Sequence, residues 1–329
     1  MASIIDIARK AGVGKSTVAR VLAGYGSSSS KSRERVLKAA EQLKYRSNTA
    51  ARDLRRGESR LLGVVVPETG SRGFLSHAVG AQKLEGIARG AKRMGYDLQI
   101  FIENLSDAPA LQRLAVEKSV RAFVFLGQMQ ESVLEHLNQY HIPWVIVNWH
   151  HPERPRDPYV WTDFEHAGFT LCNHLIERGC ERVLAFDWLS IEYGRFPQGI
   201  QAAWKAARLP KKNLTIFSGT EYAHGAAVQQ ETQRFLADRP KHAGILCSHE
   251  EGAVSVYQTL KAARLTPGKD ISVVSFDDLG ITSRMEPPCT AYRQPFFEMG
   301  AIAVEELDKK LKGDESEIAI PVRGELIVR

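Results

Sequence analysis

From residue 61 onward, short apolar runs alternate with amphipathic segments, and this alternation limits the fold of the 329-residue chain more than any other feature. Leu61 to Val66 is an apolar, β-branched run that ends at Pro67, and His77 to Met94 has the apolar spacing of a helix. The same pair of signals then repeats along the chain. Continuous apolar strands separated by helices are typical of βαβ units, in which a parallel sheet is covered on both faces. The sequence therefore predicts an α/β fold.

One segment interrupts the alternation. Residues 148–162 hold three prolines and show no period, which predicts the end of a first sheet and a crossover. A second series begins at Phe164 and ends with a late helix, Ala301 to Leu311, and a closing strand, Glu325 to Val328. We therefore expect two similar lobes, a first of about 61–161 plus 292–318 and a second of about 162–291 plus 319–329. Ligands bind at the carboxyl ends of such strands, so the lobes predict a cleft between them.

The first residues of the chain predict a different structure. Apolar residues from Ile4 to Ala11 recur at helical spacing, Gly12-Val13-Gly14 interrupts them, and a second apolar face with Val18 follows. Two helices joined by a tight glycine turn form a helix-turn-helix, with Val13 and Val18 in its core. In that motif the second helix lies in the DNA major groove, so Lys15, Ser16 and Arg20 are candidates to contact DNA.

A third helix completes this head. We expect Ser32 to cap it, with Val36, Leu37, Ala40 and Leu43 on one apolar face.

Gly14-Lys15-Ser16-Thr17 also resembles the end of a phosphate-binding loop. Such a loop requires a glycine five residues before Gly14, where this chain has Arg9, and it requires a preceding strand rather than a helix. Both requirements are missing, which argues against a nucleotide site.

The charge of the chain is divided unevenly. The first sixty residues hold 14 Lys and Arg against 5 Asp and Glu, whereas the remainder is slightly acidic. A basic head on a slightly acidic body is typical of a chain whose head binds a polyanion. On charge alone a solvated basic face explains the pattern equally well. The helix-turn-helix pattern favours DNA.

Residues 48–56 form a second basic segment, with a small apolar stripe of Ala50, Ala51 and Leu54 among three arginines. The segment is too short and too charged to be a stable helix alone. If two copies meet on DNA, the stripes can pair and Leu54 can wedge into the minor groove. The alternative is a flexible basic linker.

Composition restricts the remaining classes of function. No run of about 18 apolar residues and no apolar signal core are present, so we expect a cytoplasmic protein that does not enter a membrane. The four cysteines are widely spaced and the ten histidines show no metal-ligand spacing, so we expect reduced, buried thiols, no metal and no cofactor. We find no nucleophile with a base and an orienting group, and expect no enzyme.

Several motifs together resemble the lac repressor family of bacterial transcription regulators. They are GVGKSTVARVL, KSRERVLKAAEQLKY, NTAARDLRRGES, LLGVVVP and DISVVSFDDLG, which extend over nearly the whole chain. The resemblance implies a homodimer on a near-palindromic operator, with a hinge helix that inserts Leu54. It also implies a periplasmic-binding-protein-like body whose closure around an effector repositions the hinge helices.

The resemblance and the motif together give candidate sites. The domains are a helix-turn-helix head (1–46), a hinge helix and linker (47–60) and an effector-binding, dimerising body (61–329). Candidate DNA contacts are Lys15, Ser16, Thr17, Arg20, Ser27, Asn48, Ala51, Leu54 and Arg55. Candidate effector contacts, at strand ends and on matching positions, are Phe74, Asn148, Trp149, Asp187, Arg195, Phe196, His249 and Asp277.

Two departures from the family pattern concern the effector. Phe196 stands where the family commonly has an arginine, with Arg195 one place away, and His249-Glu250 replaces an Asn-Asp pair. A ligand that is less anionic or more aromatic than the usual one would fit Phe196.

The sequence therefore favours a DNA-binding regulator, expected to be a repressor, controlled by a carbohydrate or related metabolite. The alternatives are a sugar-binding solute-recognition protein without a regulatory role, and an enzyme with an added DNA-binding head, for which a phosphate loop and a catalytic acid are missing.

Overall fold

The structure, a computed structural model, describes residues 4–23, 29–43, 59–67, 78–103, 114, 120–127, 129–148, 157–189 and 195–329. The chain divides into two compact units, Met1–Ser59 and Arg60–Arg329, which we call the head and the body. Within the described residues, no helix combines the length and the apolar character needed to cross a membrane.

The described part of the head consists of three helices, α1 (Ile4–Ala11), α2 (Lys15–Ala23) and α3 (Ser30–Gln42). The turn between α1 and α2 depends on Gly12, whose φ of +60° lies in the left-handed region that favours glycine. The backbone amide of Val13 closes this turn by donating to the carbonyl oxygen of Ala8 at 3.1 Å. The predicted helix-turn-helix is confirmed.

One small core joins the three helices of the head. Ile7, Val18 and Val36, one from each helix, are fully buried, and Val13 packs against this cluster. Leu37 was expected on the same face of α3, but it is 48% exposed. Successive helical residues point about 100° apart, so when Val36 and Ala39 face the core, Leu37 is turned toward solvent.

The start of α3 also differs from the prediction. The helix begins at Ser30, and Ser29 rather than Ser32 is its cap, because the backbone amide of Ser32 donates to Ser29 Oγ at 3.3 Å. Ser32 occupies the third helical position, where its hydroxyl accepts a hydrogen bond from Ser29 Oγ at 2.9 Å.

Two six-stranded sheets form the body. The first has the order β11-β5-β4-β3-β1-β2 and the second repeats it as β12-β10-β9-β8-β6-β7. All neighbouring strands are parallel except the antiparallel pair β10 and β12. The strands are β1 (Leu61–Pro67), β2 (Asp97–Glu103), β3 (Val120–Phe125), β4 (Trp144–Val147), β5 (Tyr159–Thr162), β6 (Arg182–Asp187), β7 (Leu214–Ser218), β8 (Ala243–Cys247), β9 (Ser272–Phe276), β10 (Thr290–Arg293), β11 (Ala319–Val322) and β12 (Glu325–Ile327).

Helices cover both faces of each sheet, as the predicted α/β fold requires. The body helices are α4 (Ala78–Met94), α5 (Glu131–Gln139), α6 (Phe164–Glu177), α7 (Phe196–Ala206), α8 (Ala226–Ala237), α9 (Glu250–Ala262) and α10 (Phe296–Leu311). The first sheet packs against α4 and α10 on one face and α5 on the other. The second sheet packs against α6 and α7 on one face and α8 and α9 on the other. Each sheet with its helices is one lobe, so the body has two similar lobes.

In each lobe, glycine at a helix crossing lets two helices pack closely together. In the first lobe, a Cβ at Gly86 of α4 would lie 2.0 Å from the carbonyl oxygen of Phe297 in α10. In the second lobe, a Cβ at Gly199 of α7 would lie 1.9 Å from the carbonyl oxygen of Glu165 in α6. Both distances are far below van der Waals contact, so these crossings exclude any side chain.

Three crossovers connect the lobes: β5 to α6, β10 to α10, and β11 to β12. None of the three strands that lead into them was predicted from the sequence. One consequence is a correction of the lobe boundaries, because residues 319–322 were assigned to the second lobe but pair with β5 in the first sheet. Because this strand contains Pro321, its sequence does not have the pattern of a strand, although proline is compatible with an edge strand.

Candidate functional site

The head presents a polar surface at the start of α2. Lys15, Ser16 and Arg20 are exposed and Thr17 is half-buried, while Val18 on the opposite side of the helix is fully buried. Arg20 Nε donates to the backbone oxygen of Ser16 at 3.3 Å, which holds the guanidinium along the helix surface. The residues that the motif singled out therefore share one solvent-facing surface.

Some predicted site residues lie outside the residues that the structure describes. They are Ser27, Asn48, Ala51, Leu54 and Arg55 of the DNA-contact set, and Phe74 and Trp149 of the effector set.

In the body, four polar side chains form a connected series from one lobe to the other, which we call the interlobe polar chain. Asn148 follows β4, Thr162 ends β5, Gln294 follows β10, and Asp277 follows β9. The Thr162 hydroxyl donates to Gln294 Oε1 at 2.6 Å and lies 3.3 Å from Asn148 Oδ1. Gln294 Nε2 in turn donates to Asp277 Oδ1. Two of the predicted residues, Asn148 and Asp277, are thus brought together by two residues that sequence analysis missed.

Asp277 is held in an unusual position. Its φ of +75° lies in the left-handed region, although it is not glycine, and its backbone amide donates to the carbonyl oxygen of Tyr292 at 3.0 Å. The side chain is 8% exposed, and burial raises the pKa of its carboxyl group to about 6. The hydrogen bond from Gln294 and the charge of His249 oppose this rise. No hydrogen bond to the second oxygen, Oδ2, occurs among the described residues.

Lys83 faces this chain from α4 of the first lobe. Its side chain is 3% exposed, and its Nζ lies 5.3 Å from the centre of the Phe296 ring. Burial lowers the pKa of Lys83 to about 7, and the charge of Asp277 across the lobes counteracts this shift. The sequence holds one signal for this residue. Lys83 is buried in α4 together with the glycines at positions 80, 86 and 90, among which a lysine is unexpected.

His249, at the start of α9, contributes a second charged pair. Its Nδ1 contacts the Glu251 carboxylate, and its ring meets the Trp188 ring edge-on at 5.4 Å between centres. Burial opposes protonation, but the hydrogen bond and charge of Glu251, with Asp277 and Glu250, outweigh it and raise the pKa of His249.

Two other carboxylates near the strand ends are occupied by the protein itself. Asp187 is fully buried and accepts hydrogen bonds from the Leu189 amide at 3.1 Å and the Ser218 hydroxyl at 3.0 Å. Glu250 accepts from the amides of Leu279, Ile281 and Thr282 at 3.0 to 3.1 Å. Both carboxylates hold loops in place, so Asp187 contributes to the shape of the site rather than offering a free acceptor.

The structure does not bring Arg195 and Phe196 to the interlobe polar chain. Phe196 is fully buried and packs edge-on against Phe276, with 5.3 Å between ring centres, because its position at the start of α7 faces the core of the second lobe. Arg195 is exposed, 4.0 Å from Glu165, and lines a separate cavity that the residues of the interlobe polar chain do not line. Their positions in the sequence alone do not show that Phe196 faces the core and that Arg195 faces the separate cavity.

Within the part of the chain that the structure describes, no cluster of three or more His, Cys, Asp or Glu side chains could hold a metal ion. The four cysteines are buried and unpaired, and burial raises the pKa of each thiol.

Two family descriptions match separate parts of the chain. Residues 3–48 match the description "Bacterial regulatory proteins, lacI family", and residues 172–329 match "Periplasmic binding protein-like domain". The first match covers the helix-turn-helix and the second covers most of the second lobe with the last two crossovers.

Relatives extend the similarity over the whole chain. Catabolite control protein A of Priestia megaterium is 25% identical over 332 residues, which is 98% of this chain and 97% of that protein. The HTH-type transcriptional repressor PurR of Photobacterium profundum is 25% identical over 336 residues, covering 100% of this chain and 98% of that protein.

Solved structures share the fold. The lac repressor dimer bound to operator and the anti-inducer ONPF matches with a TM-score of 0.77 at 19% identity, over 100% of this chain and 98% of that one. The transcriptional regulator CelR in complex with cellobiose matches with a TM-score of 0.66 at 21% identity, over 100% and 99%. The chain therefore combines a lacI-type DNA-binding domain with a periplasmic-binding-protein-like domain, and over its whole length it is similar to proteins named as transcription regulators.

Proposed function

We propose that this protein is a dimeric transcriptional repressor that binds a near-palindromic operator through α2 and responds to a small uncharged ligand held between the lobes. The observation that carries the DNA-binding part is the two-sidedness of α2, which buries Val18 and leaves Lys15, Ser16 and Arg20 exposed together. Side chains of these types donate hydrogen bonds to base edges and phosphates. Since bacterial DNA lies in the cytoplasm, the proposal includes that compartment.

The DNA-binding proposal is tested with a random DNA library, from which the full-length protein selects its preferred site. Arg20→Ala should lower affinity for the selected site far more than affinity for random competitor, because a base-contacting arginine carries sequence preference. Arg9→Ala is the matched control, since it removes another exposed arginine of the head, from α1, and it should weaken binding to both DNAs alike. Equal loss of preference in both variants, or no selected site at all, would contradict the proposal.

The interlobe polar chain supports the ligand part. Asp277 Oδ2 and the Asn148 amide lie at strand ends that face the other lobe, where hydroxyl groups of a ligand could replace water. This region has no excess of positive charge, since Lys83 faces Asp277, His249 contacts Glu251, and Asp187 and Glu250 are further carboxylates near the strand ends. A site with polar hydrogen-bonding groups and no excess of positive charge fits an uncharged polyhydroxylated ligand better than a phosphorylated one. The structure of CelR with cellobiose provides a related fold with such a ligand.

A thermal-shift screen on the full-length protein tests this part. Neutral mono- and disaccharides are compared with the corresponding sugar phosphates, because a ligand that binds only the native state raises the melting temperature. We expect stabilisation by a neutral saccharide, loss of that shift in Asp277→Asn, and a change in operator affinity in its presence. Coupling of about 1–3 kcal/mol would change operator affinity by about 5- to 150-fold. Stabilisation by sugar phosphates alone would contradict the proposed ligand class.

The main alternative is a solute-recognition protein without a regulatory role. The lacI-type head on the same chain favours regulation over this alternative, because solute recognition alone does not need a DNA-contacting helix. The relatives reported above are named as regulators, and the proposal assigns no catalytic step to the body.

A further inference from the structure

A second cavity lies beside the crossovers, apart from the interlobe polar chain. This crossover cavity has a volume of about 700 Å³, which is within the range of pockets that bind small molecules. Trp161 and Pro321 contribute to it from the first lobe, and Glu165, Phe169, Arg195 and Ala202 from the second. Asn148, Gln294 and Asp277 do not line it, so it is a different site from the one proposed above.

The walls of the crossover cavity are held in place before any ligand binds. Gly168 and Gly199 bring α6 and α7 into backbone contact beneath it, so the helices that carry Phe169 and Ala202 cannot easily shift. At the first and third crossovers, Arg323 Nε donates to Asp163 Oδ2 at 3.2 Å. Tyr292 Oη contacts His166 Nδ1 at 3.1 Å and accepts from the Gly324 amide at 2.7 Å. A preformed site of this kind requires little ordering on binding.

The surface of the cavity combines aromatic rings with balanced charge. Phe169 is 38% exposed, and Trp161, in the same lining, is half-buried. Two arginines are matched by two carboxylates, through Arg323 with Asp163 at 3.2 Å and Arg195 with Glu165 at 4.0 Å.

His166 adds no charge to this lining at neutral pH. Burial and the nearby Arg323 lower the pKa of His166, although Asp163 opposes the shift. The lining therefore has no net charge that would favour an anion or a cation over an uncharged ring.

We infer that the crossover cavity is a second ligand site, which takes a small uncharged compound with a flat ring and polar groups at the edge of the ring. The ring packs against Trp161 and Phe169, and the charged side chains at the rim bind its polar groups. Because the walls come from both lobes, a ligand here is sensitive to the angle between them. The inference does not depend on DNA binding or on the ligand of the interlobe polar chain.

The test uses full-length protein in which the five tryptophans are replaced by 5-fluorotryptophan, followed by fluorine NMR. Trp161→Phe identifies the Trp161 signal by its absence. The probes are benzamide, benzoate and benzamidine, which share a ring and differ in charge. We expect saturable displacement of the Trp161 signal by benzamide, with at least tenfold weaker responses to benzoate and benzamidine.

Two variants of α7 locate the binding. Ala202→Phe places a ring inside the cavity and should abolish the benzamide response, whereas Gln201→Phe adds the same ring at an exposed position next to it that does not line the cavity and should preserve the response. Both positions are exposed, and thermal unfolding of both variants checks that the body is intact. No saturable response to benzamide, preference for a charged probe, or a response that survives Ala202→Phe would overturn the inference.

Discussion

We expect the buried carboxyl group of Asp277 to lower the stability of the protein at neutral pH. Its pKa is about 6 in the native state, against an ordinary value of 3.8, because burial disfavours the charged form. Between these values the native state binds more protons than the unfolded state, so the contribution is favourable below pH 3.8 and is lost as pH rises through 6. A difference of about two pKa units corresponds to about 3 kcal/mol at pH 7.

Asp277→Asn removes this penalty while keeping an oxygen that can accept the hydrogen bond from Gln294. We expect the free energy of unfolding at pH 7 to rise by up to about 3 kcal/mol, and to change much less near pH 4. The figure is an upper limit, because the substitution also removes the charge that stabilises protonated Lys83. Urea unfolding followed by tryptophan fluorescence measures it, since all five tryptophans lie in the body.

Asp278→Asn is the matched control, with the same substitution one residue later. Asp278 accepts hydrogen bonds from Arg293 at 2.7 Å, Arg329 at 2.7 Å and Thr282 at 2.8 Å. Burial opposes ionisation, but these bonds outweigh it and lower the pKa of Asp278. Its loss should therefore decrease the free energy of unfolding at pH 7, by about 1.5–3 kcal/mol. The reasoning is refuted if both variants are destabilised alike at pH 7, or if the effect of Asp277→Asn is the same at pH 4 and pH 7.

Three further predictions concern the packing of the head and body. In the head, Val18→Ala should cost about 1–3 kcal/mol by cavity formation, whereas Leu37→Ala at the exposed position should stay within about 0.5 kcal/mol, as measured by thermal unfolding of the head signal in circular dichroism. Ser29→Ala should destabilise the same transition by about 0.5–2 kcal/mol, since it removes the α3 cap, and an unchanged midpoint would contradict that assignment. In the body, Gly86→Ala should lower the free energy of unfolding by roughly 1–3 kcal/mol, because its Cβ would lie 2.0 Å from a backbone oxygen. Gly90→Ala, whose Cβ would have its closest neighbours at 3.2 Å, should lower the free energy of unfolding less than Gly86→Ala; equal effects of the two substitutions would show that the helix crossing at Gly86 is not close.

Strands with uninterrupted apolar runs were predictable from the sequence, and those at the crossovers were not. β1 and β8 lie inside their sheets and are buried on both faces, so every residue is under the same selection for apolar character. β11 is an edge strand with alternating exposure and contains Pro321, so it lacks that pattern. Its pairing with β5 joins residues about 160 apart in the chain, which local spacing does not reveal.

The candidate site was predictable only in part, for a related reason. Asn148 and Asp277 follow apolar strands directly, so the topology of parallel sheets indicates where they lie. Thr162 and Gln294 occupy crossovers whose strands had not been identified, and Lys83 reaches the site from the face of a helix. These three positions depend on how the two lobes pack. Arg195 and Phe196 were assigned by matching positions, and the rotation of α7 places one on the surface and the other in the core.

The adjacent carboxylates Asp277 and Asp278 show how backbone geometry gives one sequence motif two roles. The left-handed φ of +75° at Asp277 turns the chain just after β9, so neighbouring side chains leave in different directions. The Asp277 carboxylate accepts a hydrogen bond from Gln294 between the lobes, and its second oxygen has no hydrogen bond among the described residues. The Asp278 carboxylate binds Arg329 near the end of the chain. A substitution that relaxes this turn, Asp277→Gly, should therefore retain the fold and the bond between Asp278 and Arg329 while removing the acidic group from the interlobe polar chain. Left-handed geometry is less favourable for aspartate than for glycine, so Asp277→Gly adds no backbone strain at this turn.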